Sequence, residues 1–317
     1  MFTSGNNTQW ERQTLQHVLL EHITEQRRSR RWAIFFKLVL FSVIIVILIT
    51  SFKKDLSQPV MMTKEHTALI DIKGEIGADH NASADNIRSA LRLAFQNKHV
   101  KGIVLRINSP GGSPVQARQV FDEMQALKLK YPDIKIYAAI EDLGTSAAYL
   151  IASAANAIYS DKTSLVGSIG VRLDSFGFVE AMNKVGVERR LYAAGSHKGM
   201  LDPFLPRNLE DERFIQKQLQ TVHQAFIQNV KEGRGDRLHE TPDLYSGLFW
   251  CGEEALALGL IDAYGDAYYV AKHILGEEDI VDYTTGTNLF DRLAHRFGTS
   301  MAQTLSSQAG LVLKGLQ

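Results

Sequence analysis

"VKGIVLRINSPGGSPVQARQVFDEMQALKLKYPDIKIYAAI", residues Val100 to Ile140, reads as strand, turn, helix and strand in succession. Val100 to Ile107 is a short apolar run of the kind buried on both faces of a parallel sheet. The turn "NSPGGSP" follows, and Pro114 stands well at a first helical position, where its missing N–H costs nothing. Val115, Val120, Phe121, Met124 and Leu127 then recur at helical spacing. Ile134 to Ile140 returns to a strand, so the two strands run parallel and are joined by a crossover helix. Working outward, "TALIDIKGEI" (67–76) reads as a preceding strand. Ser83 suits an N-cap for a helix carrying Ile87, Leu91 and Phe95 on one side. Downstream, "LGTSAAYLIASAA" (143–155) supplies the next helix, and a long charged helix runs from about Asn208 to Glu232. The rhythm is α/β.

Bulk numbers exclude several classes of function. Lysine plus arginine equal aspartate plus glutamate at 35 each, so no global field points to nucleic acid. A single cysteine, Cys251, rules out an internal disulfide and a cysteine-built metal site. The ten histidines are scattered and none falls in an H-E-x-x-H pattern, so a zinc enzyme is not indicated.

The segment "WAIFFKLVLFSVIIVILITSF", Trp32 to Phe52, carries one charge, Lys37. As a helix it would span roughly 30 Å, the hydrocarbon thickness of a bilayer. It lies too far from the N-terminus, and lacks the small-residue site, expected of a cleaved leader. It therefore reads as a transmembrane anchor. Arginines of "RRSRR" (27–31) precede it against Lys53 and Lys54 after it, which places residues 1–31 in the cytoplasm and the long C-terminal part outside. The expected organisation is a cytoplasmic tail (1–31), the anchor (32–52), a linker (53–66), a catalytic domain (67–285) and a C-terminal extension (286–317). In a Gram-negative cell this is a single-pass protein of the inner membrane with a periplasmic domain.

Two turns stand at the C-terminal ends of consecutive strands, where open α/β sheets place their sites. The two glycines of "NSPGGSP" can turn backbone N–H groups outward toward an anion, although such a pair alone reads more readily as a plain strand-to-helix turn. Ser146 either caps the helix that follows or presents a hydroxyl beside free backbone donors, the arrangement acyl transfer needs. A serine nucleophile requires a base, and no histidine stands in an obvious triad position. Lys198, in "AAGSHKGMLDPF", lies among glycines and apolar residues; a lysine serves as base where burial disfavours its ammonium form, although taken alone this lysine reads more readily as a solvated surface residue.

Four strings carry a resemblance: "INSPGGSP", "DLGTSAAYLIASAANAIYSDKTSLVGSIGV", "GSHKGMLDPF" and "FWCGEEALALGLIDAYG". In this order they resemble the signal peptide peptidase family, the protease IV-like serine–lysine peptidases, over about Thr67 to Gly265. The resemblance implies a ClpP/crotonase-like fold of repeated β-β-α units. It implies Ser146 as nucleophile and Lys198, 52 positions on, as general base. Ser168 of "VGSIG" would orient the lysine, and Gly112 (or Gly111) and Ala147 would donate to the oxyanion. The implied substrates are hydrophobic peptides, above all signal peptides left in the membrane after export. No cofactor or metal is implied.

The chain departs from the family pattern at Thr145 and at Ala147–Ala148, where an alanine and a glycine pair are more usual. Cys251 replaces a small polar residue. The family also has a double-length form; with one copy here, serine and lysine pair within a subunit or across an interface, and a ring-like homo-oligomer is expected. His197 is assigned to structure, and "RGD" (234–236) to a surface turn. The other readings are a sibling peptidase with different membrane or misfolded substrates, a crotonase-like acyl-CoA enzyme, and a non-catalytic scaffold.

Overall fold

The computed structural model describes residues 30–32, 34–45 and 64–285. Residues 30–32 and 34–45 are helical, and Trp32, Phe35, Phe36 and Leu40 on that stretch are exposed. No helix among the described residues is long and apolar enough to cross a membrane. The second part of the expected anchor, residues 46–52, and the C-terminal extension from residue 286 lie outside the described residues.

Residues 64–285 build an eight-stranded sheet. Strand β1 (His66–Lys73) leads through helix α1 (Ala84–Gln96) to β2 (Val100–Ser109), then through α2 (Pro114–Lys130) to β3 (Lys135–Thr145). After α3 (Ala147–Ser153) come β4 (Ala157–Ser160), β5 (Leu165–Gly167), α4 (Val179–Val185) and the long α5 (Leu209–Arg234). The chain closes with β6 (Phe249–Cys251), α6 (Gly252–Ala257), β7 (Ala263–Tyr264), α7 (Ala267–Tyr269) and β8 (Ile280–Asp282). The main path is β6-β5-β3-β2-β1-β8, with β4 against β3 and β7 against β4; every pairing is parallel except β5–β6.

Local chemistry sets the boundaries. Ser83 caps α1 by accepting from the Asn86 amide, and Ser113 caps α2 by accepting from Gln116, with Pro114 in the first turn. Alternation sorts the strands into two faces. Ile70, Ile72, Ile103, Leu105, Ile107, Ile136, Ala138 and Ile140 enter the large core under α1, α2 and α3. Leu69, Val104 and Ala139 face the other way, where Tyr159 and Val270 cover them. Each fully buried isoleucine or leucine contributes roughly 2 kcal/mol. Past that cover, the second face turns polar, and Arg106 makes a two-pronged ion pair with Asp71 across β1 and β2.

Strand β3 runs five residues beyond the expected Ile140, through "EDLGT". Its first half pairs with β4 (Tyr137–Ile140) and its second with β5 (Leu143–Thr145), so one strand feeds two diverging partners. That extension carries the chain to Ser146.

The expectation for "RGD" is overturned at Arg234. Gly235–Arg237 is a single 3-10 turn, but the Arg234 side chain has no exposed surface. Its guanidinium donates to the Gly259 carbonyl and to both oxygens of Asp262, at 2.7 and 3.0 Å for the carboxylate. Burial works to raise the Asp262 pKa, but the hydrogen bond and charge of Arg234 outweigh it and hold the carboxyl below its usual range. Asp262 also accepts from the Ile158 amide, so the pair ties α5 to β4.

Candidate active site

Ser146 stands between the end of β3 and the start of α3 with φ 55° and ψ −125°. A non-glycine residue resists this conformation, at a cost of order 1–3 kcal/mol, and such strain persists only where surroundings impose it. Two bonds impose it here. The Ser146 amide donates to the Gly167 carbonyl at 2.8 Å, and its carbonyl accepts from Leu150 at 3.1 Å to begin the helix. The side chain makes no capping bond, so its hydroxyl does not serve as the helix cap. Its hydroxyl is half-buried at the top of a helix whose seven residues are all buried.

The glycine turn lies directly against it. A Cβ on Gly111 would stand 2.7 Å from Ser146 Cβ and 2.9 Å from the Ala147 nitrogen, so only glycine permits this approach. Both turn glycines have positive φ, 102° at Gly111 and 142° at Gly112. Ile76, beyond β1, clamps the turn: its amide donates to the Gly111 carbonyl and its carbonyl accepts from Ser113, each at 2.8 Å. Among the described residues, neither the Gly112 nor the Ala147 amide has an acceptor. Gly112 is exposed while Gly111 is buried.

Ser168 follows Gly167, so β3–β5 pairing carries it next to the strand end that leads to Ser146. It too has positive φ, 53°, with its amide bonded to the Leu248 carbonyl and its hydroxyl donating to the Gly247 carbonyl at 3.2 Å. Nearby, His223 on α5 donates its Nε2–H to the Ile169 carbonyl at 3.0 Å and pins the chain leaving β5. Sequence reasoning passed over His223, read Ser109 only as part of the turn "NSPGGSP" and assigned Arg234 to a surface turn. Each acts through partners that only the fold supplies.

Lys198 is not brought to Ser146 within the chain. It is exposed, in a turn closed by its own amide onto the Gly195 carbonyl, and among the described residues its ammonium has no hydrogen bond or ion pair. The turn is held instead through His197, whose Nδ1 lies 2.5 Å from Asp211 on α5; this bond raises the histidine pKa. From residue 170 to residue 225 no residue is buried. Phe176, Phe178 and Phe204 stack on one another in this stretch while remaining well exposed. A cleft of about 920 Å³ opens between residues 173–208 and the first turns of α5, lined among others by Leu173, Phe176, Met200 and Ile215. No group of three or more His, Cys, Asp or Glu among the described residues is arranged to hold a metal ion.

The site therefore comprises a strained serine, two uncommitted amides and a second serine, with the lysine on an exposed arm. Residues 55–161 match Clp protease. The proteins similar to this chain include one named Na(+)/H(+) antiporter NhaA in Brucella abortus, 46% identical over 189 residues, which are 59% of this chain and 25% of that protein. Serine protease SPPA, chloroplastic, of Arabidopsis thaliana is 28% identical over 196 residues, 61% of this chain and 28% of its own length. Protease 4 of Haemophilus influenzae is 29% identical over 206 residues, 62% of this chain and 32% of its own. The chain spans about a quarter to a third of the length of these relatives. Residues 128–279, which hold Ser146, Ser168 and Lys198, match Peptidase family S49.

Proposed function

We propose that this protein is a membrane-anchored serine endopeptidase that uses Ser146 and Lys198 to cleave hydrophobic peptides, chiefly signal peptides left behind after export. The observation that carries this reading is Ser146 itself, a strained, uncapped hydroxyl beside the free amides of Gly112 and Ala147. Two such donors stabilise the negative oxygen of a tetrahedral intermediate, and losing one typically costs about 3–4 kcal/mol of barrier. Lys198 takes the serine proton and returns it to the leaving amine. Ser168, whose hydroxyl now donates to the Gly247 carbonyl, turns to the lysine when that amine arrives.

An exposed ammonium cannot act as a base at neutral pH, so Lys198 must be enclosed before it works. We place that enclosure at a subunit boundary. The support is the stretch 170–225, which has no core of its own and exposes Phe176, Tyr192 and Val185. In a ring-like homo-oligomer it would cover a neighbouring copy and deliver Lys198 to the neighbour's Ser146. An anchor at 32–52 with its N-terminus in the cytoplasm would hold the site outside, near the membrane surface where such peptides lie. The antiporter name belongs to a protein of which a quarter is aligned here, and it carries no transport role to this chain.

Covalent labelling tests the reading. Detergent-purified protein should react with a fluorophosphonate probe, and both Ser146→Ala and Lys198→Ala should abolish the reaction. Undiminished labelling of the Ser146 variant would end the assignment. A crotonase-like enzyme or a scaffold would show no such serine dependence.

A further inference from the structure

We infer that Ser109 is a positioning residue for the oxyanion site, an inference that rests on the peptidase reading above. The turn 110–113 has three amides, since Pro110 has none. Ser113 donates to the Ile76 carbonyl, and Gly111 donates to the Ser109 hydroxyl oxygen at 3.2 Å. Among the described residues, only the Gly112 amide of this turn is left without an acceptor.

Ser109 is fully buried, at the last position of β2, opposite Gly144 on the strand that leads to Ser146. The strand register shifts just before it, between Ile107 and Ser109. This irregularity frees Ser109 from the apolar alternation and lets its hydroxyl fold back over the turn. Gly111 is buried, and among the described residues Ser109 Oγ is the one acceptor of its amide. Without Ser109 that amide would be a buried donor with no partner, and it would rotate to seek one. The Gly111 and Gly112 amides lie in the two peptide planes that meet at the Gly111 Cα; the Ser109 hydroxyl holds the first plane and the Ile76 amide holds the second through the Gly111 carbonyl. The inward bond of Gly111, together with the Ile76 clamp, thus reserves the next amide for substrate.

The role acts through backbone and should register in the transition state rather than in ground-state binding. We expect Ser109→Ala to lower kcat by about ten- to a hundredfold, less than outright loss of a donor, with KM within twofold. A peptide aldehyde, whose adduct with Ser146 places an oxyanion in the same site, should bind weaker by the same factor. The corresponding peptide alcohol, which forms no adduct, should bind as it does to the unaltered protein. Ser109→Cys keeps a weaker acceptor in place and should fall between the two. If the alanine variant fails to fold, the aldehyde-to-alcohol ratio of the cysteine variant decides alone. An unchanged ratio in whichever variant is measured overturns the inference. Failure of the parent protein to react with fluorophosphonate or aldehyde would sink the peptidase reading instead, so the two failures are distinguishable.

Discussion

At Ser146 the backbone holds a conformation that a side chain opposes, and the opposition can be measured. Replacing Ser146 by alanine keeps the strain and removes the hydroxyl, whereas glycine removes both. We expect Ser146→Gly to be more stable than Ser146→Ala by about 1–2 kcal/mol in thermal or urea unfolding, with both variants inactive. Equal stabilities would mean that the strain is not real. Gly112 makes the opposite prediction. A Cβ there would stand 2.2 Å from the Ile76 carbonyl oxygen, so Gly112→Ala should displace the turn and lower kcat by at least about a hundredfold in a peptide-cleavage assay. The glycines and Ser146 were legible in the sequence because small residues beside a hydroxyl at a strand end are odd choices for a core. Ser109 was not, since a serine before Pro-Gly-Gly also reads as an ordinary turn residue. Its value depends on a register shift that no local pattern announces.

Among the elements, those bounded by strong punctuation were readable and those shaped by distant partners were not. Ser83, Ser113 and Pro114 mark helix starts through bonds within three residues, and the structure has both helices where they point. The continuation of β3 through "EDLGT" depends on β5, some twenty residues later, and its charges and glycine argue locally for a loop. Arg234 was misread for the same reason: its partner Asp262 is 28 residues away, so only the neighbouring Gly-Asp was visible. The consequence for α5 is testable. Removing one member of a buried pair strands the other, and Arg234→Ala should cost about 3 kcal/mol in denaturant unfolding. The same pair contributes an acid limit. The Asp262 pKa is depressed on folding, so its contribution is complete above about pH 5 and is lost as pH falls past the unfolded value of about 3.9 toward the folded one. Asp262→Asn should flatten stability against pH in that window, and an unaltered slope would count against the pair.

For the whole molecule, the division between what could and could not be read coincides with the division between core and arm. The sheet and its three covering helices follow from alternation and capping, and they gather Gly111, Gly112, Ser146, Ala147 and Ser168 into one place. Lys198 lies on a stretch without a buried residue, and one copy of the fold does not join it to Ser146, a pairing that the sequence offered only through the family resemblance. Mixing decides how the two meet. Ser146→Ala and Lys198→Ala chains are each inactive, but co-assembled at equal amounts they should recover about a quarter of normal activity if each site draws on two neighbours at random. No recovery would place both groups in one chain or dismiss the pairing.

The bare arm from residue 170 to residue 225 has one more implication. On the proposed reading, a copy fresh from the ribosome owns the blade but not the hand that swings it, and it is harmless to the hydrophobic peptides around it until it meets its own kind. Turnover per molecule should then collapse on dilution and return on concentration, so that crowding itself arms the enzyme without a propeptide or an inhibitor.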